Sequence, residues 1–250
     1  MRSSEDLAAG TSWQPADSWP RERRPQLRRV ESLEGFGIPY RIRFAIRITS
    51  ESASSTMALP QEYLPVVSSE EYLRFERDSE TRHEFLDGIV YAMAGETPDH
   101  SRICFNLITI TGSQIRDKPC EGFSPNMKVR AGLGGLYAYP NLMIVCGEAK
   151  FHDQHGDVLL NPLVIFEVLS PSTEKYDRGE KFRRYRTQIE SLQDYVMVSQ
   201  DQPRIEHHHR QSDGEWISME VNGLDAVLVL VSIDCRIPLA EVYRHTKVGI

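Results

Sequence analysis

Residues Leu163-Val164-Ile165-Phe166-Glu167-Val168-Leu169 form a continuous apolar run broken by a single carboxylate. Seven residues of this composition, bounded by Pro162 and by Ser170-Pro171, read as a buried strand. Side chains alternate across a strand, so Leu163, Ile165, Glu167 and Leu169 share one face. A charge set in such a run is costly unless it is paired or coordinates a cation. On the residues alone, a metal ligand and the partner of a buried cation are equal readings of Glu167.

Upstream of this strand, Ser68-Ser69-Glu70-Glu71 has the form of a helix start with a capping box, followed by Tyr72 and Phe75. Asp87-Gly88 separates His83–Leu86 from Ile89–Met93, the signature of a two-residue hairpin. From His100 to Gln114 apolar residues recur at helical spacing. Short strands are predicted over Met127–Ala131 and Leu142–Cys146, and a polar loop over Glu148–Asn161. Downstream, Asp177–Glu190 reads as a helix with Phe182, Tyr185 and Ile189 as its apolar stripe. Strands are predicted at Tyr195–Ser199, Arg204–His209, Trp216–Val221 and Val227–Ile233, and a short helix at Leu239–Arg244. This intermixing predicts an α+β fold: a central mixed β-sheet flanked by helices, with the site at a strand hairpin.

Residues 1–56 differ from the rest. They carry nine Arg, no Lys and seven acidic residues, so they contribute +2 and the remainder −9 to the net charge of −7. This shift, with Ser- and Pro-rich stretches, predicts a mostly disordered extension over 1–56 and a folded domain over 57–250. A basic arm that touches DNA is the sharper reading of the extension, but its acids nearly cancel its arginines. The overall acidity lacks the basic balance of a general nucleic-acid binder. The four cysteines are widely spaced, which argues against a zinc motif and against a disulfide framework. No long uncharged apolar run provides a membrane span. A cytoplasmic, reducing location is the expectation.

Two acidic oxygens near one point can hold a hard cation such as Mg²⁺. A lysine beside them can orient water or offset developing charge. The run from Phe166 to Thr173, then Asp177, Lys181 and Tyr185, resembles the signature of the Uma-type restriction endonuclease family, a branch of the PD-(D/E)xK nuclease superfamily. Arg82-His83-Glu84-Phe85 with Asp87-Gly88, Met93-Ala94-Gly95, His100 and Tyr139-Pro140 match it in order, so the resemblance spans about residues 65 to 243. It implies a restriction-endonuclease-like core and a Mg²⁺-dependent endodeoxyribonuclease, with Mn²⁺ as an alternative ion. It implies metal ligation by Glu167 and position 141, with Glu84 as the supporting carboxylate. The lysine usual two positions after the central acid is absent, since Leu169 stands there, and Lys181 on the following helix is its implied substitute. DNA is the implied substrate, and a two-fold homodimer would suit cutting both strands.

The family has Asp where this chain has Asn141, and a neutral amide should weaken cation binding. The alternative is therefore a catalytically impaired homologue that binds nucleic acid or a protein partner. Plain structural readings stand beside the functional ones. Lys181 could pair with Asp177 on a solvated face, with Arg178 as a competing cation, and Glu84 could be an exposed strand residue paired with Arg82. His100 reads as a structural helix-start residue, and Ser170 and Ser172 as turn formers beside Pro171. Glu148-Ala149-Lys150 spells E-x-K but falls in a polar loop. His207-His208-His209 is expected to be a solvated strand end, because neighbouring strand residues point to opposite faces. Trp216 is expected in core packing.

Overall fold

The computed structural model describes residues 67–93 and 95–249. The disordered extension expected over 1–56 lies outside the described residues. Helix α1 (Ser69–Asp78) starts as its sequence predicts: Ser68 accepts from the Glu71 backbone while the Glu71 carboxylate takes the Ser68 N–H. The hairpin β1 (His83–Leu86) and β2 (Ile89–Ala92) turns at Asp87 (φ 47°) and Gly88 (φ 91°), two left-handed positions in succession that Asp-Gly tolerates. Helix α2 (Pro98–Ile115) follows, capped by Thr97.

Strands β3 (Cys120–Phe123), β4 (Lys128–Ala131), β5 (Leu136–Ala138), β6 (Leu142–Cys146), β7 (Val158–Leu159) and β8 (Val164–Val168) come next. The expected helix over Asp177–Glu190 is a composite. A single α turn, α3 (Glu174–Tyr176), runs into a π turn at Asp177–Lys181 and then into α4 (Phe182–Gln188). Strands β9 (Asp194–Val198), β10 (Arg204–Arg210), β11 (Trp216–Asn222), β12 (Val227–Leu230) and β13 (Cys235–Pro238) complete the β structure, followed by α5 (Leu239–Val242). The strand expected to run to Ile233 stops at Leu230, where a 3-10 turn over Val231–Ile233 leads into β13.

The fold is α+β with mixed sheets flanked by helices. One sheet has the order β11-β10-β9-β8-β6-β3 and is antiparallel except at β8–β9, and a second has the order β2-β1-β5-β4-β7. The alternation in the opening run sorts the core. Val164, Phe166 and Val168 pack with Ile103, Cys104 and Leu107 of α2. Ile165 and Leu169 face the other way, onto Tyr185 and residues of β4 and β5. Each apolar layer buries its side chains almost completely, which is what holds β8 at the centre.

The expectation of no disulfide is corrected. Cys120 and Cys146 are bonded to each other, because the antiparallel pairing of β3 with β6 sets these two residues opposite one another across 26 residues of chain. Linear spacing carries no trace of that register, and the pair removes the cysteine argument for a reducing compartment. Cys104 and Cys235 are free and buried.

Candidate active site

Glu167 sits in β8 on the face that meets α4, and its side chain is only 5% exposed. The π turn decides what reaches it. A widened turn shifts the helical phase, and it carries both Asp177 and Lys181 inward, where both are buried. Lys181 Nζ lies 3.0 Å from Glu84 Oε1, 3.1 Å from Asp177 Oδ1 and 3.4 Å from Glu167 Oε1. One ammonium is thus shared by three carboxylates. The Tyr185 hydroxyl donates to Glu167 Oε1 at 3.4 Å, and the Tyr176 ring lies 5.5 Å from the ammonium.

Glu84 comes from the hairpin. Its Oε1 also accepts the Tyr139 backbone N–H at 3.3 Å. The hairpin is tied to the helix by Arg184, which pairs with Asp87 in the turn and with Glu180 one helical turn back. Gly135 permits this approach, since a Cβ there would lie 2.7 Å from Arg184 Nη1. Local sequence therefore brings Glu84, three residues before the turn, against Lys181, three residues before Arg184.

Asn141 lies just ahead of β6, one step beyond the Leu142–Phe166 pair and so beside Glu167. Its Oδ1 accepts the Val168 N–H at 2.7 Å and its backbone N–H donates to Phe166 at 3.1 Å. The amide oxygen thus closes the end of the strand, a second task that the sequence did not reveal. His100 Nε2 sits 3.0 Å from the carbonyl of the same Val168.

Burial raises the Glu167 carboxyl, up to about 8; Lys181 opposes this, while Asp177 and Glu84 add to it. Lys181 moves the other way from what burial alone would do: its three carboxylates hold it well above the usual lysine range. The physical picture is one retained proton on the buried acid of β8 beside a charged lysine.

Several alternatives weighed on the sequence are settled by these positions. The Asp177–Lys181 pair exists but is buried instead of solvated. Arg178 turns away to Glu174 and Glu206. Glu84 does not pair with Arg82, which bonds the Pro125 carbonyl. Glu148 and Lys150 are exposed loop residues. Ser170 bonds Ser172 and Thr173 in an exposed turn. Trp216 packs edge-on against Phe182, with Arg210 5.6 Å from its ring. The histidine run is not a plain solvated end. His207 and His209 share a face and converge on Asp194 Oδ1 at 2.6 and 2.8 Å, while His208 lies against Phe182 on the other side. Consecutive residues of a strand diverge, but alternate ones share a face, which brings His207 and His209 together.

The donor set suits a hard divalent cation. It is made of oxygens, it is two charges short of neutral when all three carboxylates ionise, and its members include Asp177 Oδ1, a buried oxygen that makes no contact beyond its 3.1 Å ion pair with Lys181 among the described residues. The site is nonetheless closed, because the Lys181 ammonium fills the space between the acids.

A mixed sheet presenting an acid at the centre, with a lysine and further carboxylates beside it, has the architecture of a restriction-endonuclease-like nuclease fold. A family model described as "Putative restriction endonuclease", Uma2, matches residues 69–239, and the chain belongs to that family. An uncharacterized protein of Synechocystis sp. is 34% identical over 185 residues, covering 74% of this chain and 95% of the relative. A second uncharacterized Synechocystis protein is 34% identical over 161 residues, covering 64% and 90%. Among solved structures, "a putative nuclease belonging to DUF820" from Anabaena variabilis has the same fold, with a TM-score of 0.59, 14% identity, and coverage of 71% of this chain and 97% of that one. No helix of the described residues is long and apolar enough to cross a membrane.

Proposed function

We propose that this chain is a metal-dependent endonuclease that hydrolyses DNA phosphodiester bonds at the Glu167–Lys181 cluster. The observation that carries the reading is three carboxylates converging on a single buried lysine. A structural ion pair needs one acid per cation, and an excess of buried acid is destabilising unless a further cation completes it. Glu167 and position 141 would hold Mg²⁺ or Mn²⁺, with Glu84 and Asp177 supporting. When bound, such an ion lowers the pKa of a water and offsets charge on the phosphodiester.

The chain's own groups do the rest. Lys181, held charged by its acids, would bind a phosphate oxygen and orient the attacking water once those acids have turned to a metal ion. Glu167 would have to give up its proton to serve as a ligand. Glu84, anchored by the Tyr139 N–H, keeps the lysine from drifting. DNA as substrate is the family-based part of this reading; a second copy of the chain would supply the second cut.

One observation favours the impaired reading: Asn141 is neutral, and its oxygen already serves the Val168 N–H. A plasmid-nicking assay with Mg²⁺ and Mn²⁺ separates the two. Wild type should nick supercoiled DNA and Glu167→Ala should lose roughly a hundredfold or more. Equal rates in both proteins would remove Glu167 from the chemistry, and DNA binding without cutting would select the impaired homologue.

A further inference from the structure

A second cluster lies across β8 from Glu167. Glu96, His100 and Cys104 are spaced i, i+4, i+8 around the start of α2, so a carboxylate, an imidazole and a thiol line up. His100 Nδ1 is 3.5 Å from Glu96 Oε2 and 3.6 Å from Cys104 Sγ, and all three donor atoms lie within 4.8 Å of one another.

These separations, long for hydrogen bonds to oxygen or nitrogen, fit the donor spacing of a bound ion. Tetrahedral zinc, with bonds of about 2.0–2.3 Å to oxygen, nitrogen and sulfur, spaces its donor atoms about 3.3–3.6 Å apart. The other three-donor group among the described residues, Asp194 with His207 and His209, fails this comparison. Its contacts of 2.6 and 2.8 Å are hydrogen-bond lengths, and Ser232 takes the remaining carboxylate oxygen.

The second observation is the tautomer. The Val168 carbonyl can only accept, so His100 Nε2, 3.0 Å away, carries the ring proton. In a neutral ring Nδ1 then presents its lone pair toward Glu96 and Cys104. A ligand histidine whose other nitrogen is fixed by a backbone carbonyl is the usual arrangement in metal sites. His100 and Cys104 are buried while Glu96 is exposed, which leaves an entry side from solvent.

We propose that Glu96, His100 and Cys104 form a site for a borderline-soft divalent ion of the zinc class. It is chemically distinct from the all-oxygen cluster at Glu167. Its ligand His100 grips Val168, whose N–H is held by Asn141, so an ion here would brace the end of the strand that carries Glu167. The proposal does not depend on nuclease activity.

The test is titration of the tag-free, full-length, metal-free protein with cobalt(II). One equivalent should give a thiolate-to-cobalt charge-transfer band that zinc abolishes. Cys104→Ser should lose the band. Glu96→Gln, at an exposed position that folding tolerates, should weaken cobalt binding roughly tenfold or more. Cys235→Ser, His207→Ala and Glu167→Gln should retain the band, the last showing that this site survives loss of the other. A folded wild type with no band overturns the proposal. So does an unchanged affinity in Glu96→Gln, or a band that follows Cys235 or His207 instead of Cys104.

Discussion

Two groups of buried charge meet at Tyr139, and they are balanced differently. On one side the Tyr139 hydroxyl donates to Glu76 Oε1 at 2.7 Å, and Glu76 also receives the His83 backbone N–H at 2.9 Å. Lys128 lies 3.3 Å from the same hydroxyl and 3.0 Å from Asp157, while Arg77 bonds both Asp157 and Asp153. Two cations face two aspartates, and the third carboxylate, Glu76, is held by the Tyr139 hydroxyl, the His83 N–H and, at 3.0 Å, the His83 ring. Burial works against ionised Asp157, but hydrogen bonds from Arg77 and Lys128 outweigh it and hold the carboxyl well below the usual range. On the other side the Tyr139 backbone N–H reaches Glu84, and there three carboxylates share one lysine. The first network is complete as folded. The second has acid to spare, which is the state of a site built to receive a further cation.

Removing the lysine from each network should expose this difference most clearly. Lys181→Met leaves three acids without a cation, and we expect a loss of about 3–5 kcal/mol of stability, measured by chemical denaturation. Mn²⁺ should restore part of that loss. Lys128→Met leaves Asp157 with Arg77 and a route to solvent, so a smaller loss of about 1–3 kcal/mol is expected, with no restoration by Mn²⁺. Equal ion rescue in both variants would erase the distinction between the networks.

The next effect is on pH. Folding raises the Glu167 carboxyl from its ordinary 4.5 to about 8 in the ion-free protein. The folded state therefore binds the extra proton within this window, and stability falls as pH rises through it. The favourable contribution is whole below about 4.5 and gone above about 8. Divalent-ion affinity should run the opposite way, rising over the same window as the proton becomes easier to displace. Calorimetric titration with Mn²⁺ at a pH on either side of the window checks the sign, and an affinity independent of pH contradicts it.

Position 141 sharpens the comparison least but most specifically. Asn141→Asp adds a negative charge beside Glu167 while keeping an oxygen for the Val168 N–H. It should raise Mg²⁺ affinity roughly tenfold and increase nicking. A reverted protein that still binds no divalent ion by calorimetry would show that position 141 and Glu167 are not the ligand pair.

Much of this was legible in the sequence, for identifiable reasons. Glu167 announced itself because a lone acid in an apolar run is expensive wherever the strand lies. The turn at Asp87-Gly88 was legible because few residue pairs tolerate two successive left-handed positions. What escaped depends on geometry that linear spacing does not encode. A helix of regular period puts Asp177 on a solvated flank; only the π turn rotates it inward with Lys181. Strand β5 is three residues long and β13 ends in proline, so neither gave a usable period. The Cys120–Cys146 bond and the meeting of His207 and His209 on Asp194 follow from strand register. The role of Asn141 in closing the end of β8 is a side-chain-to-backbone contact, and no residue pattern announces it.

The central claim is that the surplus of acid around Lys181 marks a cation site. A crystal of the protein soaked in Mn²⁺ and measured for anomalous scattering tests it directly. The account predicts a peak about 2.0–2.3 Å from a Glu167 carboxylate oxygen, with Lys181 displaced from the space between the acids. A fully ordered Lys181 still bridging Glu84, Asp177 and Glu167, with no peak beside them at saturating Mn²⁺, would contradict it.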